Sequence, residues 1–557
     1  MVFRFLDRPN IKAINWKEIL CVSILISFTL CIFAPFEVYL AGKDGFFFSG
    51  YDIIGFSTLF FGFVTIAFLC IFLILAYFNK PLEKYVRAVC FGLIISLYLQ
   101  GNYDLTDYGV WDGEDINWSD YIASKYIWLA VFAICIIAVI MIARRMERKK
   151  YNRLLKIVSV SLILIQTVTL ITLLITNKGL DKKPEYAAIE EGECEFSADE
   201  NLIVLILDSY DSMMLSEIID HDENDHYSDI LSDFVFYPDT VGAYSFTNLA
   251  LPQIITGEKY YNDVTYGEYL DRAYDNSDTL KKLSESGWNI GLYTDSTFPQ
   301  NSDVTEQIEN CRLIKKTVTS HRRLAGYVYR IIGFRYLPQP LKKYCIYQED
   351  LESEIGSNTG GYTLFGTTNT EFKRVYESAK VNRKGKEFRL IHIFGAHPPY
   401  YVISDETGTK EETTEVEVCR DNLELVDEFL DKLREIGAYD NSTIIICADH
   451  GVMQLRQAPL FLIKAREVNS HKMIVDNTPF SYDSLEGLLE KIIDGSDEKG
   501  IMEYINDQSD NDRIYLKYKH DSLQYNSYCG DIVEYTVSGP AYIESSLSTT
   551  GKVYTKP

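Results

Sequence analysis

The stretch NLIVLILDSYD, residues 201–211, decides how the C-terminal two-thirds of this 557-residue chain is read. Its first seven residues form a continuous β-rich apolar run, the pattern of a strand buried on both faces of a parallel sheet. The run ends abruptly in Asp208. A second run, STIIICAD (442–449), ends in the same way and is followed by His450 and Gly451. FVFYPDTV (234–241), WNIGLYTD (288–295), FRLIHIFG (388–395) and PLFLIK (459–464) read as further strands. Helical stretches fall between the strands at 247–256, 277–287, 413–437 and 482–494. Alternating strands and helices predict an α/β domain with a mostly parallel sheet between helices. Such sheets bind ligands at the carboxyl ends of their strands, where Asp208 and the Asp449–His450 pair stand. The tail, about 512–545, reads as an antiparallel addition.

Carboxylate and imidazole are the ligands a hard or borderline divalent ion takes, and such an ion activates a bound hydroxyl. Thr247, which opens TNLALPQIITG (247–257), supplies a hydroxyl at a helix start. There the backbone N–H groups favour an alkoxide and an incoming phosphate. Each residue also has a plain structural reading. Asp208 and Thr247 are good helix caps, and an Asp–His pair serves as an ordinary hydrogen bond. His397, in IHIFGAHPPYY (391–401), lies in a loop and suits phosphate binding or proton transfer to a leaving group. Arg456 suits a phosphate clamp or a plain surface role. His392 lies on a strand and reads as core or as support for the site, with His471 a weaker candidate. Cys447 reads as a small buried side chain.

The first third of the chain is different. Five apolar stretches, about 19–41, 53–78, 86–101, 121–143 and 155–176, are read as membrane spans. Arg4, Arg8, Lys12 and Lys17 precede the first span, and RRMERKKYNRLLK (144–156) lies between the fourth and fifth. The loop between the third and fourth carries Asp104, Asp107, Asp112, Glu114, Asp115 and Asp120 and no Lys or Arg. This asymmetry places the N-terminus in the cytoplasm and everything after about 178 outside. The expected organisation is a transmembrane domain of five helices (1–178), a linker (179–200) and an extracellular catalytic domain (201–557).

Residues 1–178 carry 17 Lys/Arg against 13 Asp/Glu, and residues 179–557 carry 37 against 66. So acidic a domain argues against nucleic acid as a partner. Residues 311–344 depart from this background, with nine Lys/Arg (Arg312, Lys315, Lys316, Arg322, Arg323, Arg330, Arg335, Lys342, Lys343) and no acid. The segment also carries Leu324, Val328, Ile331 and Ile332. It reads either as an interfacial helix touching anionic head groups or as a basic face packed on the domain's own acidic surface. The eleven cysteines show neither zinc-ligand spacing nor a dense disulfide framework.

Taken together, these motifs resemble the alkaline phosphatase superfamily in its membrane-bound sulfatase-like branch, which includes lipoteichoic acid synthases and phosphoethanolamine transferases. The likeness rests on the five N-terminal spans and the strand-end acid. It rests also on the threonine ten residues before Gly257, the LP at 251–252, the later Asp–His pair, the histidine loop at 391–401, and PLFLIK followed by SYDSLEGLLEKI (481–492). The resemblance implies that Asp208, Thr247, Asp449 and His450 hold one divalent metal, Mn or Zn, with Thr247 as nucleophile and His397 near the substrate phosphate. It implies transfer of a phospholipid head group, phosphoglycerol or phosphoethanolamine, to a surface glycan, lipid or polymer at a bacterial plasma membrane. The alternatives are a phosphodiesterase or phosphatase acting on a surface polymer, and a catalytically inactive lipid sensor. Asp208 departs from the glutamate usual in the transferases. Threonine cannot give the aldehyde on which true sulfatases rely.

Overall fold

The computed structural model describes residues 16–557 apart from 107, 109–115, 183–184, 223, 295–296, 347–355, 360, 404–409, 453–456, 471, 519–522 and 524. It divides into two compact units. One holds the N-terminal helices together with Lys315–Thr359, and the other holds Pro184–Ile314 together with Gly360–Pro557.

In the first unit five long helices precede residue 177: α1 (Trp16–Ala41), α2 (Gly50–Phe78), α3 (Lys80–Tyr103), α4 (Ile122–Arg145) and α5 (Arg148–Thr176). A π-helical turn at Thr29–Phe33 interrupts α1. Four of the five are long and apolar enough to cross a membrane. The exception is α3, whose first turns carry Lys80, Glu83, Lys84 and Arg87. The third of the five expected spans is therefore the one that length and composition do not support. Two of these charges are held inside the bundle: Glu83 and Arg87 are both fully buried and paired at 2.8 Å, and Arg87 also donates to Asn152 of α5 at 2.6 Å.

The second unit is built on a seven-stranded sheet. Its strands are β1 (Glu200–Leu207), β2 (Val235–Phe236), β3 (Trp288–Tyr293), β4 (Lys386–Ile393), β5 (Ser442–Cys447), β6 (Phe461–Lys464) and β7 (Ile474–Val475), in the order β7-β2-β6-β5-β1-β4-β3. Strands β3, β4, β1 and β5 run parallel, and β6 runs antiparallel to both its neighbours. Successive residues of a strand face opposite sides. On β1, Leu202, Val204 and Ile206 therefore enter one core while Ile203, Leu205 and Leu207 enter the other. The helices expected between the strands are present at Thr247–Thr256 (α6), Asp278–Glu285, Glu415–Glu435 and Leu485–Ile493. The tail forms an antiparallel sheet of β8 (Ile514–Tyr518), β9 (Ile532–Val537) and β10 (Leu547–Tyr554). Cys447 is fully buried, and burial pushes its thiol up to about 12, where it is inert.

Candidate active site

Three adjacent parallel strands, β5, β1 and β4, end at one edge of the sheet, and register decides which side chains meet there. Ile206 pairs with His392 on one side and with Cys447 on the other. Stepping two residues beyond Ile206 and Cys447 gives Asp208 and Asp449, so these two and His392 project to the same face. One ligand atom from each of Asp208, His392 and Asp449 lies within 4.8 Å of the others. His450 Nε2 stands 3.6 Å from Asp208 Oδ1 and 3.5 Å from Asp449 Oδ2. His392 Nε2 stands 3.7 Å from Asp208 Oδ2.

Thr247 enters from α6. The helix cap is Phe246, which makes no side-chain cap hydrogen bond, so Thr247 is the first helical residue rather than the cap. Its Oγ1 lies 3.2 Å from His450 Nε2 and 3.5 Å from Asp208 Oδ2. Pro252 inside α6 cannot donate to the carbonyl of Asn248. The Tyr266 hydroxyl donates to that carbonyl instead, at 2.9 Å. Gly257, at φ 77°, closes the helix where a Cβ would strike the Glu486 carboxylate. The tail braces the other end. The Ser245 hydroxyl donates to the Tyr518 carbonyl at 3.3 Å, and the Tyr518 hydroxyl donates to the Phe246 carbonyl at 3.4 Å.

The backbone around the cluster is tightly determined. Asp449 Oδ1 accepts from the N–H groups of Ser209 (3.1 Å) and His450 (2.9 Å), which turns Oδ2 toward the site. Ser209 holds φ 61°, a conformation that costs a non-glycine residue about 1–3 kcal/mol and recurs at functional sites. The Ala396 N–H donates to the Asp208 carbonyl at 2.8 Å, and a Cβ on Gly395 would fall 2.4 Å from the Asp208 nitrogen. Only glycine lets the loop after β4 lie this close.

The donors suit a divalent ion. Ligands about 2.1 Å from a tetrahedral ion stand about 3.4 Å from one another. Thr247 Oγ1, Asp449 Oδ2 and Asp208 Oδ1 lie 3.2, 3.5 and 3.6 Å from His450 Nε2, near that value, while Thr247 approaches the other Asp208 oxygen, Oδ2, at 3.5 Å. His450 Nδ1 is 2.6 Å from the Gly451 carbonyl, a contact that makes Nδ1 the protonated nitrogen and leaves the Nε2 lone pair toward the cluster. Burial alone would raise the Asp449 carboxyl. The imidazoles of His450 and His392, the Ser209 N–H and the Thr247 hydroxyl outweigh it and hold that carboxyl below its ordinary value.

The four residues singled out together from the sequence, Asp208, Thr247, Asp449 and His450, thus lie together. His392 joins them as a side chain of the cluster itself, a place the sequence reading did not give it. The alternation Phe388–Leu390–His392, whose first two members enter the core on the Asp208 side, is the signal that could have found it. His397 is half-buried in the loop after β4, with Nδ1 against the Pro398 carbonyl, and is not among the clustered ligand atoms. Arg456 and His471 lie outside the described residues.

No protein-family model matches the chain, and no curated protein does. Among solved structures, similarity runs to members of the alkaline phosphatase superfamily. The integral membrane lipooligosaccharide phosphoethanolamine transferase A of Neisseria meningitidis is 13% identical, over 86% of this chain and 95% of its own, with a TM-score of 0.31. A lipoteichoic acid synthase of Listeria monocytogenes is 14% identical over 65% and 88%, with a TM-score of 0.32. A phosphonate monoester hydrolase of Silicibacter pomeroyi is 12% identical over 63% and 88%, with a TM-score of 0.34. At such scores the functional reading rests on the side chains of the site.

Proposed function

We propose that the chain is a membrane-bound phosphotransferase that moves a phospholipid head group, phosphoglycerol or phosphoethanolamine, onto a hydroxyl of a surface glycan, lipid or polymer. One observation carries this reading. The Thr247 hydroxyl opens a helix and lies 3.2 and 3.5 Å from an imidazole and a carboxylate of a buried Asp/Asp/His cluster. Asp208, Thr247, Asp449 and His450 would hold a divalent ion, Mn or Zn, with His392 beside them. When bound, that ion lowers the pKa of the hydroxyl and offsets charge on the phosphoryl oxygens.

The chain's own groups then do the following. Thr247 Oγ1 gives up its proton to an acceptor in the cluster and forms a bond to phosphorus. The bond from phosphorus to the diacylglycerol oxygen breaks, and that oxygen takes a proton, for which His397 is the proposed donor. The backbone N–H groups at the start of α6 receive the phosphoryl oxygens. An acceptor hydroxyl then attacks the phospho-threonine, the P–Oγ1 bond breaks, and Thr247 regains its proton. Arg456 is proposed to clamp the phosphate. A secondary alcohol cannot become the aldehyde of true sulfatases, which favours phosphorus over sulfate esters. The domain boundaries near 178 and 200, the five spans, a cytoplasmic N-terminus and an extracellular site at a bacterial plasma membrane belong to the same proposal. They are supported by the loop charges and by a lipid donor's need for a membrane-bound enzyme.

The test uses the full chain in detergent with labelled phosphatidylglycerol or phosphatidylethanolamine, stripped of metal and then given Mn or Zn. Metal-dependent diacylglycerol release and a phosphorylated Thr247 peptide are expected. Equal release by Thr247→Ala would overturn the mechanism.

A further inference from the structure

The basic segment that stands out in the sequence belongs, for residues 315–359, with the N-terminal helices. Its centre is a 16-residue helix, α7 (His321–Tyr336). Leu324, Ala325, Val328, Ile332 and Tyr336 form one buried stripe. The stripe packs on Phe33, Val38 and Tyr39 of α1, on Ile53 and Phe56 of α2, and on Phe48 between them. Two ion pairs pin its C-terminal end. Arg335 pairs with the buried Glu37 of α1 and donates through Nε to the Gly101 carbonyl of α3 at 3.0 Å. Lys342 pairs with Asp104, just past α3, at 2.9 Å, with both side chains almost wholly buried. This end of the helices is also rich in rings. Phe46 and Phe48 meet Tyr327 edge-on at 6.4 and 6.2 Å, and Tyr108 meets Trp118 at 5.8 Å and Phe334 at 5.4 Å. Tyr and Trp concentrate where a bilayer's hydrocarbon gives way to its head groups.

Arg335 and Lys342 are two of the nine basic residues of the segment. Arg322, Arg323, Arg330 and Lys343 are exposed, as are Leu341 (45%) and Tyr344 (71%) beside Lys343. An apolar stripe holding a helix on spans at the aromatic level, with cationic and amphipathic side chains facing outward, is the arrangement that engages a charged lipid surface. We propose that α7 and the turn after it form a lipid-binding collar. In it Arg322, Arg323, Arg330 and Lys343 bind the head groups of anionic phospholipids at this end of the spans. The acids that Arg335 and Lys342 neutralise belong to the N-terminal helices, not to the outer domain's surface as the alternative reading had it.

The experiment uses full-length Thr247→Ala protein, which cannot turn over lipid by the proposed route, so this inference and the proposed reaction fail separately. The protein is reconstituted in phosphatidylcholine nanodiscs doped with a photoactivatable phosphatidylglycerol or, in parallel, a photoactivatable phosphatidylcholine. Labelled peptides are then mapped. Residues 321–344 should take up the anionic probe at least five-fold over the zwitterionic one. The combined Arg322→Glu, Arg323→Glu, Arg330→Glu and Lys343→Glu variant should lose about ten-fold of that labelling, with labelling of α2 and α4 unchanged. Equal labelling by the two probes, or labelling that survives charge reversal, overturns the proposal. Should the reversed variant not fold, salt decides on the unreversed protein. Labelling of 321–344 that falls steeply between 50 and 500 mM salt supports the collar, and labelling indifferent to salt overturns it.

Discussion

Strand β4 carries a buried ionic cluster near each of its ends, and the two are built on opposite principles. Near its start, Arg389 is fully buried and every part of its guanidinium is used. Nη2 meets Glu387 Oε2 at 2.5 Å and Glu309 Oε1 at 2.7 Å, while Nε and Nη1 donate to the carbonyls of Gly192, Asn289 and Phe388. Asn289 supplies Glu387 with a further donor at 3.0 Å, and Arg383 meets Glu309 at 3.2 Å. The cluster closes on itself. Near the other end, three residues on, His392 faces two buried carboxylates and a second imidazole whose Nδ1 is turned on a backbone carbonyl. Among the described residues the groups gathered there are carboxylates, imidazoles and a hydroxyl. Burial of charge therefore does not mark a site. What marks this one is a buried set of carboxylate and imidazole ligand atoms within 4.8 Å of one another at the ends of adjacent strands.

The largest effect is expected where the open cluster meets Thr247, its proposed nucleophile. Thr247→Ala should reduce diacylglycerol release by at least about 10³-fold if, as proposed, Oγ1 is the attacking atom. Because Thr247 is half-buried and is not the helix cap, the midpoint of thermal unfolding should hardly move. Thr247→Ser should restore part of the rate. Loss of folding alongside loss of rate would make Thr247 structural.

The closed cluster should fail the other way. Arg389→Met strands Glu387 and Glu309 in the interior and should cost about 3–5 kcal/mol of stability. The folded fraction should keep its turnover number and its metal affinity. A fall in turnover number at saturating metal would show that the two ends of β4 are coupled, and the contrast would break.

Lys464, on β6, sharpens the comparison as a buried cation held by backbone carbonyls, with no carboxylate at bonding distance among the described residues. Its Nζ donates to the carbonyls of Tyr439, Ser442 and Ala465 at 3.1–3.2 Å. Burial pulls its pKa down from 10.5 to about 8. The folded state therefore binds the proton less tightly than the unfolded one. The penalty is complete below pH 8, where both states are charged. It is relieved as pH rises from about 8 to about 10.5, where stability should climb by up to about 3 kcal/mol. Urea titrations of wild type and Lys464→Met across this window isolate the effect in the difference of their slopes. Parallel profiles would mean that Lys464 titrates normally.

How much of this was legible depended on whether the signal was local. The apolar runs that end in Asp208 and Asp449 and the helix opened by Thr247 are local patterns. The expected helix at 413–437 is found at Glu415–Glu435, and the one at 482–494 at Leu485–Ile493. Direction and register are not local. The run 459–464 looks like its neighbours, and only pairing shows that β6 is antiparallel. The basic segment's grouping with the N-terminal helices is set by contacts of Arg335 and Lys342 with residues more than 230 positions away. In α3 the apolar stretch 86–101 was visible. That its first turns bury Glu83 and Arg87 against α5 was not.

His392 gives the smallest and most direct test, because it shares a strand with Arg389 and was read from the sequence as core or support. If it only fills space, His392→Ala should lower stability and leave the apparent metal affinity alone. If it belongs to the metal's surroundings, as its 3.7 Å approach to Asp208 Oδ2 indicates, affinity should weaken about 10–100-fold while the folded fraction stays intact. Competition with a chromophoric chelator reads the affinity without reference to turnover, and His392→Gln distinguishes loss of the ring from loss of a polar atom. A stability loss with unchanged affinity would leave Asp208, Asp449, His450 and Thr247 as the whole site. It would also make the two polar residues of β4, three positions apart, alike in being structural.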